Sequence, residues 1–310
     1  MKRLFGLVSS AVLLVACGPK TLEPDVAFEC TNCDRWNAPQ DPFRLYGNTW
    51  YVGTAGLSAI LIEGDEGLIL IDGALPQSAP LIDANIRELG FDPANIKAIL
   101  VSHAHFDHAG GVNALQRLSG ARVYSSRDGA EALRTGALQD GDPQFLYGPD
   151  NTSFPPVRDV IGLADGEVMS VGEVNVTAVY TPGHTPGGVS WTWQSCALDT
   201  CYDIVYADSL TAVSADGYQF TGSSAANQLV ESARVLANLD CDILISPHPF
   251  FFGMEEKLEK IDEGNSFVNP VACMIYAETA LDWLERRLQA ERSELDVDIS
   301  PVIVPPTKLE

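Results

Sequence analysis

The chain has 310 residues, 46% of them apolar, and sets 42 acidic against 19 basic residues for a formal charge of −23. That balance excludes a nucleic-acid binder, because neutralising phosphates needs a basic face, and it argues equally against adhesion to anionic lipid head groups. It fits a well-solvated globular domain with a sizeable core, and there is no repeat or low-complexity block.

The N-terminus reads Met1-Lys2-Arg3, then an apolar run from Leu4 to Val15, then Ala16-Cys17-Gly18. A basic start, an apolar stretch of about a dozen residues and small residues at the cut make residues 1–16 a signal peptide, too short to span a membrane. Leu14-Val-Ala-Cys17 resembles a bacterial lipoprotein box, in which Cys17 becomes the first mature residue and carries lipid; the expected address is then the periplasm, anchored to the outer membrane. An ordinary secreted enzyme is the other reading of the same start. Residues 17–38, polar and proline-spotted, read as a tether rather than a packed element. No linker-like break follows, so residues 39–310 are expected to form one large domain.

Leu57–Glu63 and Leu68–Asp72 bracket Gly64-Asp-Glu-Gly67, a hairpin signal. Residues 78–89 carry Ile82, Ile86 and Leu89 on one helical face, closed by Gly90. A strand ending at Val101 then runs into His103-Ala-His105-Phe-Asp107-His108-Ala-Gly-Gly. In extended backbone, residues two apart point the same way, so His103 and His105 project together while Asp107 and His108 turn over the helix that follows. Three imidazoles and a carboxylate so close together suit a borderline-soft divalent ion, for which zinc is the commonest guest.

Val112, Leu115 and Leu118 continue as a helix, followed by a strand near 121–125. Residues 136–160, rich in Gly and Pro, read as a long loop of the kind that lines a substrate groove. In the second half, strands near 167–181 lead to His184, strands at 188–193 and 202–207 lead to Asp208-Ser209, and a helix at 224–239 precedes Ile243-Leu-Ile245 and His248. The chain has five histidines in all, and each lies just beyond a strand. Seven cysteines, less a lipidated Cys17, leave an even number for an oxidising compartment. Cys196 and Cys201 flank a short polar excursion between two strands, as a clipped hairpin would.

His-x-His-x-Asp-His followed by two single histidines resembles the metallo-β-lactamase superfamily, and the flanking words are similar to class B β-lactamases of the third subclass. Trp36-Asn-Ala-Pro, Tyr51-Val-Gly-Thr-Ala-Gly-Leu-Ser58, Asp72-Gly-Ala-Leu-Pro-Gln and Asp208-Ser-Leu-Thr-Ala-Val-Ser-Ala-Asp-Gly217 carry this likeness, which extends from about Asn37 to the helix containing Trp283. The resemblance implies an α/β fold, an αββα sandwich with its site at one edge of two packed sheets. It implies two zinc ions, the first on His103, His105 and His184, the second on Asp107, His108 and His248. Hydrolysis of a β-lactam amide (penicillins, cephalosporins, carbapenems) by a monomer follows, with Asp107 orienting the attacking oxygen and antibiotic resistance as the outcome.

Ser209 and Thr211, two apart on one strand face, are expected to donate to the substrate carboxylate, and Asp72 is a possible partner for a ligand histidine. In related thioester and lactone hydrolases an Asp at the strand end occupied by Asp208 bridges both metals, which keeps a lactone, thioester or phosphodiester hydrolase as the alternative. The resemblance also pairs Cys241 with Cys273. Cys30 and Cys33 remain; Cys-x-x-Cys fits a redox pair or half a zinc site, but no second pair or preceding thioredoxin-like strand accompanies it, so a local disulfide is expected. No Ser-x-x-Lys, Gly-x-Ser-x-Gly, P-loop or dinucleotide glycine motif occurs, which removes the commonest serine-hydrolase and nucleotide-enzyme readings and excludes serine β-lactamase chemistry.

Overall fold

The computed structural model describes residues 20–261 and 264–293, so the expected signal peptide and Cys17 lie outside the described residues. The first sheet has seven strands in the order β1 (Phe43–Tyr46), β2 (Thr49–Tyr51), β3 (Ile60–Gly64), β4 (Gly67–Ile71), β5 (Ile96–Leu100), β6 (Arg122–Ser126) and β7 (Val160–Leu163). The second has five: β8 (Val168–Val171), β9 (Val174–Tyr180), β10 (Val189–Ala197), β11 (Thr200–Tyr206) and β12 (Ile243–Ile245), with β8 and β12 at its edges.

Side-chain alternation explains how one strand serves two cores. The β3–β4 hairpin closes with Gly64 opposite Gly67, which sets Ile60 against Ile71 and Ile62 against Ile69. These four isoleucines face the second sheet and join Leu100, Val189, Trp191 and Tyr206 in one core, while Leu61, Leu68 and Leu70 point the other way into a second core. Strands buried on both faces read as continuous apolar runs, as Ile-Leu-Ile and Leu-Ile-Leu-Ile do here.

Helices cover both outer faces. Short α1 (Cys33–Trp36) precedes the sheets; α2 (Ala79–Glu88), α3 (Phe106–Ala109), α4 (Val112–Ser119) and α5 (Arg127–Thr135) follow along the first sheet. Ile82, Ile86, Leu115 and Leu133 supply the apolar side of that layer. On the second sheet lie α6 (Ser224–Ala237) and α8 (Ala272–Arg292), with α7 (Met254–Leu258) between them in sequence. The expected αββα sandwich is therefore the observed one. Strands β4 to β7 run parallel, so the loops after β4 and β5 emerge at one edge, and the loops after β9, β11 and β12 meet them there.

The expected tether is a packed element where it is described. Leu22, Phe28, Cys30 and Trp36 pack on the core beneath the first helix layer. The backbone of Phe28 both donates to Gln77 Oε1 (3.0 Å) and accepts from Gln77 Nε2 (2.8 Å), and Arg117 pairs with Asp25 at 2.9 Å. The average polarity of the segment hid Leu22, Phe28 and Trp36, three well-spaced apolar anchors. Strands β1, β2 and β7 and helix α5 were likewise not anticipated. The Gly- and Pro-rich stretch is a loop with two short 3-10 turns, and β7 begins at Val160. All three expected disulfides are formed: Cys30–Cys33, Cys196–Cys201 and Cys241–Cys273.

Candidate metal centre

His103 and His105 sit on the turn after β5, Asp107 and His108 in α3, His184 between β9 and β10, and His248 after β12. The fold brings all six together. His103, His105 and His184 offer ligand atoms within 4.8 Å of one another, as do His103, Asp107 and His108. His248 joins through Asp107, whose Oδ2 lies 3.5 Å from His248 Nε2 and 3.2 Å from His108 Nε2. All but His248 are buried, and His248 keeps only 13% side-chain exposure.

A histidine binds metal with one nitrogen while the other is held by an acceptor that fixes its orientation. Four of the five show that arrangement. Nδ1 of His184 donates to the Thr211 carbonyl at 3.0 Å and Nδ1 of His248 to the Gly56 carbonyl at 3.3 Å; carbonyls only accept, so both rings carry Nδ1–H and leave Nε2 with its lone pair. His103 Nδ1 lies 2.7 Å from Asp208 Oδ1, and His105 Nε2 lies 3.1 Å from Asp142 Oδ2. His103 Nε2 is buried with no protein partner. A buried imidazole nitrogen left unsatisfied and aimed into a cluster of like donors is what a metal would complete.

Electrostatics points the same way. Burial, reinforced by His105, pushes His184 down to about 3, and burial with His108 pushes His248 down to about 4, so both rings are neutral at physiological pH. Burial lowers His103 well below the ordinary histidine value and raises Asp208 well above the usual carboxylate range, so both members of that pair are driven toward their neutral forms. Burial alone would raise Asp107, but His108, His248 and His105 hold its carboxyl well below the usual range, leaving it ionised. Neutral imidazoles at His103, His184 and His248 beside the charged Asp107 are donors that fit zinc.

Several roles differ from those expected. Asp72 touches no histidine; its carboxylate accepts from Ser102 N (2.8 Å), Ser102 Oγ (2.7 Å) and the Tyr206 hydroxyl (2.7 Å), and its own φ of 61° is a left-handed conformation that this network pays for. Asp208 takes the histidine-orienting role instead. Gly188 makes room for it: a Cβ there would come within 2.5 Å of Asp208 Oδ2. Thr211 lies against His184, its Oγ1 3.0 Å from Nδ1, where the hydroxyl oxygen accepts from the ring N–H and keeps its own hydrogen to donate. Ser209 is buried and its Oγ has no hydrogen-bond partner among the described residues, so its donor is unspent within the protein. Asp142, in the long loop, was missed; its only sequence signal is a carboxylate between Gly141 and Pro143 in a stretch already marked as functional.

A family model described as Metallo-beta-lactamase superfamily matches residues 53–248. Among solved structures, Rm3 metallo-beta-lactamase is 47% identical with a TM-score of 0.82, over 85% of this chain and 99% of that one. MEM-A1, a subclass B3 metallo-beta-lactamase isolated from a soil metagenome library, is also 47% identical, with a TM-score of 0.80 over 84% and 99% of the two chains. Curated relatives match over shorter spans: a probable metallo-hydrolase, YqgX of Bacillus subtilis, is 30% identical over 47% of this chain and 64% of its own length. A hydroxyacylglutathione hydrolase of Bradyrhizobium sp. is 29% identical over 42% of each. The chain thus spans less than two thirds of the length of these two curated relatives.

Proposed function

We propose that this chain, which belongs to the metallo-β-lactamase superfamily, is a zinc-dependent hydrolase of the β-lactam amide bond that confers resistance to such antibiotics. The reading draws on the likeness to subclass B3 enzymes along nearly the whole of their chains. The single observation that carries it against a thioester or lactone substrate is the direction of Asp208. Its Oδ1 is engaged with Nδ1 of His103 at 2.7 Å, and Asp208 is not among the side chains whose ligand atoms converge, which favours an orienting role over a metal-bridging one. The curated hydroxyacylglutathione hydrolase supplies the alternative, over less than half of either chain.

In this reading His103, His105 and His184 would hold one ion and Asp107, His108 and His248 a second. Zinc bound by such residues supplies a Lewis acid and a water of pKa about 7. The ionised Asp107 accepts a hydrogen bond from the attacking water and aligns it on the lactam carbonyl. Ser209 Oγ donates to the substrate's carboxylate, and its burial strengthens a contact to a charged group. The test is ring opening of a β-lactam by purified protein with and without a chelator; a thioester or lactone hydrolysed while β-lactams stay intact would move the assignment to the alternative.

For location, the proposal remains a lipid-anchored periplasmic protein, on the strength of Leu14-Val-Ala-Cys17. A monomer acting on a small molecule fits the rest of the reading.

A further inference from the structure

We propose that Tyr276, on α8, is a positioning residue that sets the Ser209 hydroxyl for substrate by clamping the backbone on both sides of it; this rests on the β-lactam reading above. The Tyr276 hydroxyl is buried. It accepts the Leu210 N–H at 3.1 Å and donates to the Asp208 carbonyl at 2.8 Å, so one oxygen holds residues 208 and 210 and brackets Ser209. Ser209 Oγ has no partner of its own among the described residues, so no hydrogen bond from a neighbour competes with the backbone in setting where that hydroxyl points.

The clamp is itself fixed. Cys273, one turn before Tyr276, is bonded to Cys241, which immediately precedes the segment leading through β12 to His248. Ser246 Oγ lies 3.5 Å from the same hydroxyl. Further along α8, the Arg287 guanidinium donates to the Ala212 carbonyl (3.3 Å), Ser214 Oγ (3.0 Å) and the Tyr218 carbonyl (3.0 Å), bracing the loop downstream. Helix α8 therefore holds the substrate-facing loop at intervals, with Tyr276 at the point nearest Ser209.

Asp208 has a second support, because its N–H donates to Ser190 Oγ at 2.9 Å and its carboxylate meets His103. Leu210 has no such second support, its N–H donating to Tyr276 alone among the described residues. Losing the hydroxyl thus loosens Ser209 while leaving the metal ligands held.

The experiment compares kcat, KM and metal content for the wild type, Tyr276→Phe, Ser209→Ala and the double variant, with Tyr46→Phe as a control. Tyr276→Phe keeps the ring and its packing. Tyr46→Phe removes a tyrosine hydrogen bond to the Thr200 carbonyl, far from the site. A net hydrogen bond of ordinary strength corresponds to about a fivefold rise in KM for Tyr276→Phe. Metal content and kcat should stay near wild type, and Tyr46→Phe should leave KM unchanged. In the Ser209→Ala background, Tyr276→Phe should raise KM no further, since the hydroxyl it positions is gone. An unchanged KM, or an equal rise with and without Ser209, overturns the proposal. Amide exchange at Leu210 reads the clamp without any substrate: faster exchange in Tyr276→Phe supports it and unaltered exchange overturns it, even for an enzyme that opens no β-lactam.

Discussion

Asp208 Oδ1 lies 2.7 Å from Nδ1 of His103, and both side chains are fully buried. An acceptor oxygen in that place fixes the ring and leaves its other nitrogen, Nε2, with the lone pair. Removing such a partner typically costs 10–100-fold in metal affinity. Asp208→Ala should therefore weaken the site built on His103, His105 and His184 by roughly that factor, measured by competition with a chromophoric chelator. Retention of wild-type affinity would mean that packing alone orients His103.

Ser209→Ala separates substrate binding from chemistry. A hydrogen bond to a charged group contributes roughly 1.5–3 kcal/mol, on the order of a 10- to 100-fold increase in KM. Turnover should fall much less and metal content not at all, the signature of lost uniform binding. If instead Asp208→Ala strips metal and Ser209→Ala changes nothing, the bridging-aspartate alternative gains. The neighbouring Thr211 behaves differently: its contacts go to His184, so Thr211→Ala should affect metal affinity more than KM.

The six candidate ligands were legible because strand ends concentrate them. His103, His105, Asp107 and His108 lie within six residues, and His184 and His248 each follow an apolar run. The two-core sandwich was legible too, since Ile60-Leu-Ile62 and Leu68-Ile-Leu-Ile71 are apolar on both faces. What supports the ligands was not. Asp142 reaches His105 from 37 positions away, and it is one of 42 acidic residues with nothing local to single it out. Asp72 and Asp208 follow strands in similar ways, and only the three-dimensional register decides which of them meets a histidine. Leu22, Phe28 and Trp36 escaped notice because each is a lone apolar residue in polar company, so no period marks them.

Metal dependence is the broadest prediction. Chelation should abolish hydrolysis, zinc should restore it, and inhibitors that acylate serine should leave the enzyme active. His184→Ala removes one of three neutral donors from a single site and should reduce both zinc content and turnover by orders of magnitude. Full activity after verified metal removal would eliminate the mechanism.

Anchoring is tested by fractionation. Expressed in a Gram-negative cell, the protein should sediment with membranes and take up a fatty-acid analogue, and Cys17→Ser should abolish both. Stable attachment needs more than one acyl chain, so partial labelling with a soluble product would speak for an ordinary secreted enzyme.

The pH dependence of zinc uptake turns on His105. Burial, the largest single influence, pulls its pKa down, but the Asp142 carboxylate at 3.1 Å together with Asp107 outweighs it and the net shift is upward. His184 and His248, near 3 and 4, are already neutral at pH 6–7 and release no proton when metal binds. The sign follows. Below the raised pKa of His105 the metal-free protein holds one proton more there than the loaded protein, so affinity should climb about tenfold per pH unit on that account and level off above it. Replacing Asp142 by Asn removes the charge that holds the imidazolium, leaving burial to lower His105. The plateau should then be reached at a lower pH, at a reduced maximum affinity because the orienting acceptor is weaker. Calorimetry at pH 6.5 in buffers of different ionisation enthalpy counts the protons: the wild type should release more on zinc binding than Asp142→Asn, and equal release by the two proteins would show that Asp142 does not govern the titration of His105.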